Sequence, residues 1–149
     1  MSAVITLGTP AQAEKLLTLC AAFHAEEEIA STEESRTAAL MPLLEGNPYG
    51  AVYLIGPPRA PIGYIAVCFT WSLEHGGLDA LIDELYVRPG VRGRGIASEV
   101  LSALPKALGQ HGLRSIHLEV AHQNTNAQRL YRRAGFVPKD DYMLMMRTL

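Results

Sequence analysis

An α/β layer architecture around one mixed sheet is the fold class that this 149-residue chain predicts. Three observations predict it. Segments of strand-like alternation and of helical periodicity follow one another in the order β-α-α-β-β-β-α-β-α-β, a mixture that layered sheets satisfy. Two apolar runs, 51–56 and 61–73, are joined only by Pro57-Pro58-Arg59-Ala60, which reads as an antiparallel hairpin. A strand-helix-strand unit spans 80–120, and such a crossover is right-handed with its two strands parallel.

In chain order, AVITLG (3–8) reads as a first strand. Thr9-Pro10 then gives an N-cap and a proline at the first helical position. Leu16, Cys20 and Phe23, with Leu17 and Ala21 beside them, make the apolar stripe of a helix to about residue 25. STEE (31–34) has capping-box spacing, with Ser31 and Glu34 as its partners, and Pro42 is expected to end or kink the helix it opens. After the hairpin, EHGGLD (74–79) is a loop and 80–87 a fourth strand. A third helix runs from Ile96 to about Leu108, with Pro105 expected to bend it or shorten its last turn. LRSIHLEV (113–120) alternates as a strand, NAQRLYRRAG is a short helix ended by Gly135, and YMLMMRTL (142–149) reads as a final strand whose methionines fill the core.

Length suits a single domain, 1–149, with a real core. An apolar fraction of 48%, a charged fraction of 19% and a net charge of −2 describe a globular chain without the positive field of a nucleic-acid binder. MSAVITLGTP lacks a basic segment leading into a long apolar run, and no stretch approaches the roughly 18–20 apolar residues of a membrane span, so a cytoplasmic protein with no membrane partner is expected. Cys20 and Cys68 sit in apolar patterns and read as buried thiols. His24, His75, His111, His117 and His122 show no metal-ligand spacing with a fourth partner, so no metal is expected.

LIDELYVRPGVRGRGIASEVL (81–101) sets three arginines and three glycines between a strand pattern and a helix pattern. A helix start exposes amides that lack intrahelical partners and carries the positive end of the macrodipole. Gly93 and Gly95 clear side chains from those amides and Ala97 keeps the first turn small, which together make an anion cradle. The neighbouring arginines add positive charge. A Walker loop is excluded because no lysine and Ser/Thr follow the last glycine. The dinucleotide fingerprint fits poorly, since Ser98 stands where its third glycine belongs and Arg88-Pro89-Gly90 intervenes after the strand.

These residues resemble the GNAT superfamily of acyl-CoA-dependent N-acyltransferases. Arg92-Gly93-Arg94-Gly95-Ile96-Ala97 matches its Arg/Gln-x-x-Gly-x-Gly/Ala motif and follows the family-like LYVRP. LEVAHQNTNAQRLYRRAGF (118–136) is similar to a later family segment, with Asn124, Ala127, Leu130, Tyr131, Gly135 and Phe136 in register. The resemblance covers the chain from about Val52 onward. It implies a three-layer fold, with a mostly antiparallel central sheet and a splayed parallel strand pair, 80–87 and 113–120, flanked by helices. Acetyl-CoA is the implied co-substrate, with the backbone of Leu85, Tyr86 and Val87 along its pantetheine arm. Amides of Arg92, Gly93, Arg94, Gly95, Ile96 and Ala97 would hold its pyrophosphate, and Asn124 would contact the arm. Tyr131 would protonate the departing thiolate.

Direct attack by an amine requires a proton acceptor, because amines arrive protonated near neutral pH. Asp83 and Glu84 are adjacent in an otherwise apolar strand, and successive strand residues face opposite sides. A β-bulge, common in the family's fourth strand, would reassign which one faces the cleft, and Glu84 is favoured over Asp83. The acidic segments 24–35 and 72–79, with Glu26, Glu27, Glu28 and Glu74, suit a small cationic amine, although acids near helix starts also complement the dipole. An N-terminal or lysine amine is a further acceptor, and dimers are common in the family. Two alternatives stand beside this reading: a non-catalytic acyl-CoA-binding module of the same fold, and a transferase using a longer acyl-CoA.

Overall fold

The computed structural model describes residues 5–109 and 112–149. Five strands lie side by side in chain order: β1 (Ile5–Leu7), β2 (Gly50–Ile55), β3 (Gly63–Ser72), β4 (Gly77–Val87) and β5 (Leu113–Leu118). The first three junctions are antiparallel, and β4 runs parallel to β5. Helices α1 (Ala13–Glu26) and α2 (Glu33–Leu44) join β1 to β2, and α3 (Ile96–Leu108) carries the crossover from β4 to β5. The expected mixed sheet with one parallel pair is therefore present. Its residues form one compact unit, up to Glu119.

The helices α1 and α2 cover one sheet face. Leu16 and Leu19 from α1 and Leu40 and Leu44 from α2 form a core cluster with Val52, Leu54, Tyr64, Ala66 and Tyr86. The strand residues of that cluster share a face by register, since Val52 pairs with Ala66, Leu54 with Tyr64, and Tyr64 with Tyr86. Ile65 and Val67 of β3 are buried on the other face, with Ile82, the partner of Val67, and Ala80 of β4 beside them. The buried stripe of α3, Val100, Leu101, Leu104 and Leu108, completes that side of the core.

Local chemistry departs from expectation at two places. The capping box of α2 lies one residue later: Thr32 is the N-cap, its Oγ1 accepts from Ser35 N–H, and Ser35 Oγ accepts from Thr32 N–H. By residue type Ser31 is the better cap, but its side chain is taken elsewhere, as described below. Pro42 does not end α2, which continues to Leu44. The lost backbone bond is offset by Leu40 and Leu44, which bury the same face on either side of it. By contrast α3 has the expected limits, running through Pro105 from Ile96 to Leu108.

The second unit begins at Val120. It contains α4 (Thr125–Arg133), where Asn124 Oδ1 accepts from Ala127 N–H and Gly135, at φ 98°, closes the C-terminus. The expected final strand is absent: residues 142–149 adopt no regular structure, and Met143, Met145 and Met146 are 79–85% exposed. An apolar run specifies a strand only where another backbone edge pairs with it, and here none does.

In the first unit Asp79 is buried at the centre of a polar cluster. Asp79 accepts from Thr70 Oγ1 at 3.2 Å and Ser115 Oγ at 2.7 Å, and His117 Nδ1 lies 2.8 Å away. These contacts tie β3, β4 and β5 together beside the register shift at Leu78/Asp79. Asp79→Ala leaves their donors without an acceptor, so urea unfolding is expected to show a loss of about 2 kcal/mol.

Candidate active site

The register of β3 against β4 breaks at one point. Ala66 pairs with Glu84, and the next residue, Val67, pairs with Ile82, so Asp83 is the extra residue of a bulge. In a regular strand Ile82, Glu84 and Tyr86 would share a face. The bulge instead leaves Ile82 on the side of Val67 and turns Glu84 and Tyr86 towards α1 and α2. Of the two adjacent acids, Glu84 is thereby delivered into the helical side of the sheet.

A set of polar side chains meets its carboxylate there. Tyr64 Oη donates to Glu84 Oε1 at 2.7 Å, and His24 Nε2 lies 2.7 Å from Oε2. Cys20 Sγ is 3.9 Å from Oε1 and 3.6 Å from His24 Nε2. On its other side, His24 Nδ1 is 2.8 Å from Ser31 Oγ, which accepts from Arg36 Nη1 at 2.8 Å. The chain reaches Ser31 because α1 ends in a reversal at Glu28, φ 56°, closed by Ile29 N–H donating to the His24 carbonyl at 2.8 Å. Phe23 packs edge-on to both Tyr64 and Tyr86 with ring centroids about 6 Å apart, holding the network against the sheet.

Burial and the adjacent Glu84 carboxylate push the Tyr64 phenol far above its ordinary range, so it remains a donor. The same two causes raise the Cys20 thiol, which stays protonated. Partial desolvation by its neighbours, then the charges of Glu84 and Glu119, raise the carboxyl of Asp83, which still reaches solvent. An acid with a raised value favours the protonated form in the fold: its stabilisation is complete below the unfolded value and lost as pH rises through the shifted one. Asp83→Asn is thus expected to match the parent's Tm in acid and to exceed it at neutral pH. The gain is below about 1 kcal/mol, because water screens an exposed carboxylate.

Past Ile82, which pairs with Leu118, β4 has no β5 partner. Arg88 N–H donates to the Ile62 carbonyl, so by ladder alternation Tyr86 also turns its backbone to β3, and Leu85 and Val87 present theirs to the open edge. The Tyr86 side chain lies in the core, 5% exposed. The Val87 carbonyl accepts from Arg92 Nε at 2.8 Å, while Arg92 Nη2 donates to Glu26 Oε2 at 2.7 Å and its guanidinium lies 5.6 Å from the Tyr86 ring centroid. The Arg92 side chain therefore braces the loop against the end of α1. Arg88 and Arg94 are exposed.

The open edge leads into the glycine loop. Gly93 and Gly95 have φ of 78° and 77°, and Gly95 is the N-cap of α3. A β-carbon at either would meet no atom within 4 Å, so the space before the α3 amides is clear. These features fit a diphosphate beside an extended arm. In the second unit, Tyr131 stacks edge-on to Phe136 at 5.9 Å, and Phe136 N–H donates to the Tyr131 carbonyl.

Residues 16–136 match the acetyltransferase (GNAT) family. The chain belongs to that family. Among relatives of this GNAT chain, the ribosomal protein bS18-alanine N-acetyltransferase of Haemophilus ducreyi is 33% identical over 107 residues, 70% of this chain and 72% of that protein. The thialysine N-epsilon-acetyltransferase of Bos taurus is 29% identical over 82 residues, 54% of this chain and 48% of that protein. The chain spans 36%, 45% and 48% of the length of three of the curated relatives it matches. A crystal structure of an integron cassette protein from a salt-marsh metagenome superposes with a TM-score of 0.83 at 27% identity, over 97% of this chain and 90% of that one. Members of the family use acetyl-CoA. Among the described residues no helix is long and apolar enough to cross a membrane.

His24 and Tyr64 are the site residues that sequence reasoning missed. His24 shows no metal-ligand spacing, and Tyr64 lies within the apolar run of the third strand, so neither stands out in the sequence. The available signal was Cys20 and His24 four residues apart, continuing the apolar stripe of α1.

Proposed function

We propose that the chain transfers an acetyl group from acetyl-CoA to a primary amine, with Glu84 as the proton acceptor. The observation that carries this reading is the delivery of Glu84 by the Asp83 bulge, at the place where β4 parts from β5. Bound acetyl-CoA supplies a thioester carbonyl for the amine to attack. The outward backbone of Leu85 and Val87 aligns the arm as an added strand aligns to a sheet edge. The amides of Gly93 to Ala97 hold the diphosphate. Tyr64 holds one Glu84 oxygen in place and His24 the other, leaving the carboxylate oriented to take the ammonium proton directly or through a water. Asn124 and Tyr131 are assigned by their places in the family segment: Asn124 to the arm and Tyr131 to protonation of the leaving thiolate.

The acceptor we favour is a small cationic amine. Glu26, Glu27 and Glu28 stand at the end of α1, two to four residues past His24, and Glu33 and Glu34 open α2. Glu26 is paired with Arg92, and the other four bring negative charge to the chain segments on either side of Ser31. The bovine relative's named substrate is a small amine, whereas that of the Haemophilus relative is a protein alanine. A thiol-release assay across both acceptor types is expected to give higher kcat/KM with cationic amines than with peptide N-termini. In the same assay Tyr131→Phe is expected to lower kcat by about 10²-fold at unchanged acetyl-CoA affinity. Acetyl-CoA binding without turnover on any amine would overturn the proposal.

A further inference from the structure

We infer that Cys20, His24 and Glu84 form a three-ligand site for a zinc-class divalent cation that occupies the candidate base and blocks its use. Their ligand atoms all lie within 4.8 Å of one another, and each side chain is partly buried. One sulfur, one imidazole nitrogen and one carboxylate oxygen form a borderline-soft donor set, suited to Zn²⁺ and unsuited to Mg²⁺ or Ca²⁺. Tetrahedral zinc at its usual bond lengths needs separations of about 3.6 Å for S···N, 3.6 Å for S···O and 3.4 Å for N···O. The observed S···N separation is 3.6 Å; the sulfur lies 3.9 Å from Glu84 Oε1, whereas the imidazole nitrogen lies 2.7 Å from the other oxygen, Oε2. The Cys20–His24 pair already stands at that spacing, and Glu84 must open its hydrogen bond to His24 for one carboxylate oxygen to share the metal with both. The fourth position remains for water.

The surrounding groups fit this role. A metal-bound imidazole needs an acceptor for its other N–H, and Ser31 Oγ lies 2.8 Å from Nδ1 with Arg36 donating to the same oxygen. Tyr64 steadies the carboxylate from the far side. Binding moves the imidazole proton from Nε2 to Nδ1 and releases the thiol proton to solvent. The thiolate, the carboxylate and the dication then sum to zero charge, which suits a half-buried site. Because the thiol must lose its proton, affinity rises with pH. Metal binding stands by itself, whereas inhibition rests on Glu84 acting as the base.

The test titrates the full chain with Co²⁺ alone. One equivalent is expected to give the intense visible bands of tetrahedral cobalt with a thiolate charge-transfer band in the near ultraviolet, and Zn²⁺ is expected to bleach both. Cys68→Ala retains the signal, Cys20→Ala and Cys20→Ser lose the charge-transfer band, and His24→Gln weakens binding at least tenfold. No charge-transfer band, or one that survives Cys20→Ala, overturns the site. Should Cys20→Ala not fold, persistence of the band in Cys68→Ala assigns the thiolate to Cys20, and its loss there overturns the site. One equivalent of zinc is expected to depress acetyl transfer at least tenfold. Undiminished turnover with zinc bound overturns the inhibition. A chain that binds cobalt as described yet acetylates no amine refutes the proposed function and supports the metal site.

Discussion

Glu84→Gln is expected to lower kcat for amine acetylation by about 10²- to 10⁴-fold, the range for removing a positioned base, while leaving acetyl-CoA affinity and the fold intact. The amide keeps the shape of the carboxylate, so Tyr64 Oη still donates to Oε1. His24 adapts by changing tautomer: Nε2 accepts from the new amide and Nδ1–H is received by Ser31 Oγ. What the amide cannot do is take a proton from an ammonium group. The variant should therefore bind acetyl-CoA in calorimetry with parental affinity and melt at the parental temperature. Retention of parental kcat would remove Glu84 as the base and leave Asp83, the exposed bulge residue beside it, as the next carboxylate to test.

The split between what the residues announced and what they concealed follows sequence distance. The hairpin, the limits of α3 and the glycine loop are local features, each written in a dozen consecutive residues, and each was legible. The network around Glu84 joins Cys20 and His24 to residues 40 and 60 positions away, and no local pattern encodes such a meeting. The bulge was foreseen only as a possibility of the strand, because a register shift belongs to the pairing of β3 with β4 and not to either alone. Ser31 shows the same thing on a smaller scale. Its sequence offers it as a helix cap, and it becomes instead the hydrogen-bond partner of His24, ceding the cap to Thr32. Residues 142–149 failed in the opposite way, because hydrophobicity was read as a strand without a partner to pair it.

Gly95→Val is expected to act on binding where Glu84→Gln acts on turnover. At φ 77° a β-branched residue is strained by about 1–2 kcal/mol, and relief requires the first turn of α3 to rotate its amides. The added β-carbon itself meets no protein atom within 4 Å, so overpacking contributes nothing to the effect. The branched side chain instead stands in the clear space before the amides of Ile96 and Ala97, where a diphosphate must approach to hydrogen-bond distance. Calorimetry with coenzyme A is expected to show Kd raised at least a hundredfold, with any residual turnover requiring correspondingly more acetyl-CoA. Gly90→Ala is the matched control: it lies in the same loop, has open space around its α-carbon and lacks the left-handed conformation, so its Kd should be parental. Strain alone would lower Tm in Gly95→Val without touching Kd at a temperature where the chain is folded. A parental Kd under those conditions would mean that the diphosphate lies away from the start of α3, and the cradle would have to be sought elsewhere.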